Sequence, residues 1–483
     1  MQQASKVANR VALTLALAAS LFASGCSVLE PKLPEAEAAI PAQWPLPPTT
    51  AMAATPGAVA AQSYAPADAM DIGWRDFFID PNLTELIARA LDNNRDLRVA
   101  VLNVERARAQ YRIQRADRVP SVGVNGTMTR TGGDNRSPSN EFTASVGVVD
   151  FELDLFGRVR NLSQSALQQY FAQEEARRSV QLSLVAEIAN AYLTLITDQE
   201  LQRVAREALV NRQNALTLTE KRHELGAVSA LDLSQAQTSI ESARTDLSRY
   251  AGRVAQDINA LTLLVGAPID PALLPTRFDL QVSGLRSLPA GLPSQVLLRR
   301  PDVLQAEHLL RSANANIGAA RAAFFPSIRL TGGIGHASDE LSNLFNSGTQ
   351  FWSFAPEINL PIFQGGRLRG NLSAATADRD IALAQYEKSI QVGFREVADA
   401  LALTRTLAEE KASQEALVVA AARAEALSRA RYEAGSDSYL VLLDAQRTLY
   451  AAQQSLVATQ LAEQTNRVIL YKVLGGGWNE NNT

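Results

Sequence analysis

Asp150, Glu152 and Asp154 place three carboxylates at alternate positions of one short run, and paired carboxylates are the usual acid and base of a glycosidase. That chemistry needs two carboxyl groups held in different environments within a cleft, whereas alternate residues of an extended chain share one face. The wall of a water-filled lumen is the simpler account of the series. The three histidines, His223, His308 and His336, fall on a helix end, a helix and a loop without the spacing of a metal site, and each reads as a surface residue. No GxSxG, phosphate loop or dinucleotide fingerprint occurs, and GGIGH from Gly332 lacks the following helix that a phosphate site demands. The expectation is a protein without catalysis, metal or bound cofactor, for which any ATP or proton energy comes from partners.

Composition agrees. Lys+Arg 46 against Asp+Glu 50 gives a net charge of -4, which advertises neither a nucleic-acid surface nor a polybasic membrane patch. Aromatic residues are only 6%, and abundant Gln, Ala, Leu and Arg favour long helices. At the N-terminus, Lys6 and Arg10 precede an apolar stretch from Val11 to Phe22, then Ala23, Ser24, Gly25 and Cys26, the pattern of an export signal. The single cysteine excludes an intrachain disulfide. Its setting resembles a bacterial lipobox, which implies cleavage after residue 25 and a covalent lipid, diacylglycerol plus an N-acyl chain, on Cys26. Ser27, which follows it, permits transfer to the outer membrane in resembling lipoproteins. Prolines 31, 34, 41, 45, 47, 48, 56 and 66 predict an extended tether over 26–80. No other segment holds the ~18 uninterrupted apolar residues of a spanning helix, so any membrane crossing is by strands.

The chain repeats itself. Asp96 precedes Pro120 by the same interval as Asp302 precedes Pro326, and both prolines are followed by Ser and an alternating apolar run. RHELGAVSALDLSQAQ from Arg222 aligns with RYEAGSDSYLVLLDAQ from Arg431, and Gly266 with Gly475 at the same offset. Two repeats, 81–266 and 301–475, are therefore expected, joined by a Pro-rich segment over 267–300 and ended by a tail at 476–483. Each should hold a helix, a β-hairpin (121–156 and 327–363), a long helix, a tight turn at Gly226 or Gly435, and a shorter helix. Leu83 to Val119 reads as one helix. In the first hairpin Val122, Val124 and Met128 alternate with small or polar residues, and a polar loop is expected over Gly132 to Asn140. A slip of phase near Val149, between Val146/Val148 and Phe151/Leu153, predicts a bulge. From Arg158 to Leu225 there is neither Gly nor Pro, enough for ~100 Å of continuous helix.

Four strands cannot close a membrane barrel alone, because known closed barrels need roughly 8 or more. Unpaired strand edges in lipid cost several kcal/mol per group, so copies of the chain must pair edge to edge. Two, three or four copies would serve equally, giving roughly 8, 12 or 16 strands. Asp150, Glu152 and Asp154 then fit the lumen, with Phe151, Leu153 and Leu155 on the lipid side.

Several segments resemble the TolC/OprM family of outer-membrane efflux lipoproteins: LLRRPDVLQAEHLLRSANANIGAARAAFFPSIRLTGG from Leu297, RYEAGSDSYLVLLDAQRTLYAAQQSL from Arg431, FELDLFGRVR from Phe151, and the LGGGW ending at Trp478. The resemblance spans essentially the whole mature chain. It implies a mainly α protein with membrane β-strands, a TolC-like homotrimer whose 12-stranded barrel in the outer membrane continues as a helical tunnel through the periplasm. It implies as partners a periplasmic adaptor, an inner-membrane RND-type pump and outer-membrane lipids. It further implies adaptor docking at Arg222, Gly226, Ser229, Leu231, Arg431, Gly435, Ser438 and Leu440, and a periplasmic gate at Tyr432, Leu440, Asp444 and Arg447. Tyr432 and Leu440 are expected to narrow the bore, and Asp444 and Arg447, three apart, to pair within or between chains. A duct for type I protein secretion and a periplasmic coiled-coil scaffold are the alternatives; the lipid signal and the RRPD segment favour efflux, and the hairpins oppose the scaffold.

Overall fold

The computed structural model describes residues 29–37, 40–41, 44, 73–278, 280 and 294–476. The signal peptide, Cys26, most of the tether and the tail after Gly476 lie outside the described residues. In chain order the elements are helices α1 (Trp74–Phe77), α2 (Pro81–Asn93) and α3 (Arg95–Ala116), strands β1 (Val122–Gly133) and β2 (Arg136–Leu153), and helices α4 (Arg158–Glu224) and α5 (Ala230–Val265). They are followed by α6 (Pro301–Ala322), β3 (Ser327–Ser338), β4 (Gln350–Asn359), α7 (Arg367–Glu433) and α8 (Tyr439–Val473). Both α4 and α7 have 67 residues, and α5 and α8 have 36 and 35.

The long helices start and stop at residues chosen for the purpose. The Asp154 carboxylate accepts from the amides of Val159 at 3.1 Å and Arg160 at 2.7 Å, satisfying two free donors at the start of α4. Gly226 and Gly435, with φ of 72° and 79°, take the left-handed conformation that closes α4 and α7. Ser229 and Asp232 form a reciprocal capping box that opens α5.

Three details depart from the sequence expectations. The helix foreseen over Leu83 to Val119 is broken at Asn94, whose side chain caps the Leu97 amide at 2.9 Å and donates to the Leu264 carbonyl at 2.8 Å. The break is a docking point: a Cβ on Gly266 would sit 2.5 Å from the Asn93 carbonyl oxygen. The polar loop expected over Gly132 to Asn140 is instead paired strand, with Gly133 opposite Arg136 and Thr131 opposite Ser139, leaving only a tight turn. Residues 29–37 are not a free tether. Asn314 donates to the Pro31 carbonyl at 2.8 Å, Arg321 to that of Leu29 at 3.2 Å, and the Glu37 amide to Glu387 at 3.0 Å.

The chain divides into two compact units, and neither is a repeat. One combines Leu102–Glu175 with Leu304–Ser389, and the other combines Ala39–Val101, Ala176–Val303 and Ile390–Thr483, so each draws on both halves. In the second unit the apolar stretch of α4 from Val185 to Ile196 is buried with Trp74, Phe77, Leu83, Leu86 and Tyr471, with Phe77 stacked on Tyr471 at 3.8 Å. This stretch is the most apolar part of any described helix, and its burial makes it core. The RRPD motif is also structural. Arg300, 7% exposed, donates to both Asp302 oxygens at 3.0 and 2.7 Å, to Glu396 at 2.8 Å and to the Val473 carbonyl at 2.9 Å, tying α6, α7 and α8 together.

Candidate functional site in the sheet and the helical tips

The four strands form one antiparallel sheet in the order β1-β2-β3-β4. Cross-strand pairing sorts every residue onto one of two faces. On one face run the rows Val122, Val148, Gly332, Phe354 and Val124, Val146, Ile334, Trp352, with Met128 opposite Phe142. On the other run Gly123, Gly147, Gly333, Ser353 and Asn125, Ser145, Gly335, Phe351, with Thr127 opposite Thr143. The first face is apolar and bare: Val124 is 86% and Trp352 78% exposed in the single chain. Apolar area of this extent is unfavourable in water and matches lipid. From Ile328 to Ser338 the strand rises about 34 Å, or about 25 Å once tilted as barrel strands are, the height of a membrane barrel's apolar band.

The expected bulge lies where the phase slips, between Val148 and Phe151. Asp150, with φ of 56°, is the one non-glycine among the described residues in the left-handed region. The extra residue lets Phe151, opposite Leu330, and Leu153, opposite Ile328, continue the apolar face that Val146 and Val148 began. Glu152 falls on the small and polar face, in a row with Arg329 and Glu357. Asp150 joins this row by pairing with Arg329 at 3.1 Å. Asp154 lies beyond the strand and caps α4, so the three carboxylates do not form the uninterrupted row their spacing suggested. At the foot of the sheet Glu152 pairs with Arg158, in a cavity of about 330 Å³ that also meets Arg329, Arg367 and the stacked rings of Phe156 and Phe325.

Three glycines shape this sheet in a way the sequence reading did not anticipate, since it weighed GGIGH only as a phosphate site. A Cβ would fall 2.3 Å from the Gly332 oxygen if placed on Gly147, 2.8 Å from the Val146 oxygen on Gly333, and 2.4 Å from the Ala144 oxygen on Gly335. All three lie on the small and polar face, where the backbones of β2 and β3 approach too closely for a side chain. The alternate glycines 333 and 335 within GGIG were the available signal. Both edges, β1 and β4, are without a strand partner among the described residues.

At the other end of the long helices the two tips are joined. Arg222 donates to the carbonyls of Tyr432 at 2.8 Å and Glu433 at 3.0 Å, and its guanidinium lies 4.7 Å from the centre of the Tyr432 ring. The Tyr432 hydroxyl shares a 2.8 Å hydrogen bond with Thr219, a partner that nothing in the sequence pattern marked. Tyr432 was expected to narrow a bore; it is 1% exposed, packed edge-on against Tyr439 among Leu216, Ile240 and Leu442, and in this conformation it faces the chain's own interior. Arg431 pairs with Asp437 through both carboxylate oxygens at 2.6 and 2.8 Å, lowering the acid's pKa, and this ion pair spans the second turn where a capping box spans the first. Ser229 caps α5, whereas Ser438 opens α8 without a side-chain cap. Leu231 and Leu440 project outward, 66% and 54% exposed. Asp444 and Arg447 are exposed and have no ion pair among the described residues, so the expected pair does not form within one chain.

The family model described as outer membrane efflux protein matches residues 86–267 and 292–476. The chain is 46% identical to the probable efflux pump outer membrane protein TtgC of Pseudomonas putida, over 97% of this chain and 96% of that protein. It is 44% identical to outer membrane protein OprJ of Pseudomonas aeruginosa, over 88% and 90%. Its structure is similar to that of the open-state MtrE outer membrane channel of Neisseria gonorrhoeae, with a TM-score of 0.83 and 37% identity over 94% of this chain and 99% of that one. A sheet with one lipid-compatible face, helices of 67 residues and this extent of similarity place the chain in the outer membrane and in the TolC-like fold class. The chain belongs to the outer membrane efflux protein family.

Proposed function

We propose that this protein is the exit duct of a tripartite efflux pump, in which copies of the chain close a barrel in the outer membrane. The observation that carries this reading is the four-stranded sheet with an apolar face, a small and polar face and two open edges. Such a sheet is stable in lipid only when β1 of one copy pairs with β4 of the next. The resemblance to TolC-like proteins supports three copies, hence roughly 12 strands, a number within the range of closed membrane barrels. The polar inner face then conducts small molecules passively. A lipid on Cys26 would supplement the barrel as an anchor.

The energy source belongs to partners, a periplasmic adaptor and an inner-membrane RND-type transporter. The tips suit adaptor docking: Gly226 and Gly435 expose their turns, Leu231 and Leu440 offer apolar contacts, Arg222, Ser229 and Arg431 hold the turns by hydrogen bonds, and Ser438 leaves its hydroxyl out of the helix cap. Asp444 and Arg447, exposed and unpaired in one chain, suit a gate held between chains, with the exposed Leu440 beside them. The test is the migration of the membrane-extracted protein before and after boiling, together with its retention in the membrane under high salt. A heat-sensitive trimer that salt cannot extract is the expected result; a salt-extractable monomer contradicts the reading.

A further inference from the structure

Helix α3 leads into the free edge strand β1, and α7 leaves the other free edge strand β4. When β1 of one copy pairs with β4 of another, α3 must therefore descend beside the neighbouring copy's α7, antiparallel to it. Both helices carry an exposed stripe at helical spacing. On α3 it comprises Leu102, Arg106, Ala109 and Ile113, with Leu102 52% and Ile113 63% exposed. On α7 it comprises Gly370, Ala374, Asp378 and Ile381, with Ile381 55% exposed.

The two stripes correspond in depth. Counting residues from the sheet-side end of each helix, Ala116 for α3 and Arg367 for α7, sets Ile113 level with Gly370, Ala109 with Ala374, Arg106 with Asp378 within one residue, and Leu102 with Ile381. The count thus sets Ala109 against Ala374 and Ile113 over Gly370, places an apolar pair at the far end, and brings the one cation of the stripes to the level of the one anion. Neither Arg106 nor Asp378 has an ion pair among the described residues, and a Cβ on Gly370 would meet nothing within 4 Å. Leu102 and Ile381 are exposed in the single chain, and a protein surface would bury both.

We propose that this stripe of α3 docks on the stripe of α7 in the neighbouring copy, and that the Arg106–Asp378 ion pair sets the register of that seam. The proposal rests on the reading of the chain as a multi-copy barrel and adds the helical surface by which the copies recognise each other. A single charge pair within an apolar helical seam specifies alignment, because a slip of one turn would set each charge against an apolar or uncharged neighbour.

The test is oxidative cross-linking of the Ala109→Cys, Ala374→Cys double variant of the full chain, alongside the charge reversals Arg106→Asp and Asp378→Arg. The seam predicts dimer and trimer bands that disappear on reduction and are absent from either single-cysteine variant. It also predicts that each reversal alone lowers the dissociation temperature of the assembly by several degrees and that the double reversal restores most of the loss. An assembled wild-type protein with no cross-link in the double variant, and with reversals that leave dissociation unchanged, overturns the seam alone. A wild-type chain that never assembles overturns the channel reading and the seam with it.

Discussion

Arg222, in the last turn of α4, donates to the carbonyl of Tyr432 at 2.8 Å, and its guanidinium covers the Tyr432 ring at 4.7 Å. A cation at the C-terminus of α7 thus satisfies carbonyls that the helix leaves free, and it belongs to the other repeat. Arg222→Ala is expected to destabilise the paired tips by about 1–2 kcal/mol, because charge-assisted hydrogen bonds to partly exposed carbonyls are lost. Hydrogen exchange of the α7 and α8 amides around Gly435 should accelerate, with protection unchanged in the sheet. Equal protection at the tip would show that the clamp contributes nothing.

The sheet offers a sharper test of closure. Gly147→Val sets a branched side chain where even a Cβ would lie 2.3 Å from the Gly332 oxygen. The β2–β3 pairing must open there, and heat-sensitive oligomer is expected to fall to a small fraction of the wild-type amount on gels of extracted membranes.

Arg300→Ala removes the one cation between Asp302 and Glu396 and strands a 7% exposed site. Both carboxylates are more than a third exposed, so the loss is about 2 kcal/mol, below that of a fully buried pair. A fall in thermal stability of several degrees checks it.

Asp257 on α5 and Asp198 on α4 give a pH dependence of definite sign. Burial first, then the neighbouring Asp198 carboxylate, push the pKa of Asp257 up to about 6, and burial also raises that of Asp198. The folded pKa exceeds the unfolded one, so this contribution to stability is fully present below about pH 4 and is lost as pH rises through about 6. Wild-type protein should therefore lose thermal stability between pH 5 and 7.5 relative to Asp257→Asn, in which the group does not titrate. Parallel melting curves for the two proteins across that range would contradict it.

How much of this was legible in the sequence depends on how local the cause is. The bulge at Asp150 was readable because one extra residue flips the side-chain phase, and the long helices because Gly and Pro are absent from Arg158 to Leu225. The break at Asn94 was hidden because its cause is a contact with the Leu264 carbonyl, 170 residues away. The inward placement of Tyr432 in this conformation was hidden for the same reason, since its hydroxyl is engaged by Thr219 of the other repeat. The Asp150, Glu152, Asp154 series was right in polarity and wrong in regularity, since helix capping claims the last of them.

The proposed gate and the proposed duct meet in one measurement, single-channel conductance of the purified protein in a planar bilayer with its oligomeric mass determined alongside. A trimer with small, mostly closed conductance is expected, rising severalfold when Asp444→Asn or Arg447→Gln removes a gate charge. Unchanged conductance in the variants would remove those two residues from the gate. A monomer without conductance would contradict the channel itself.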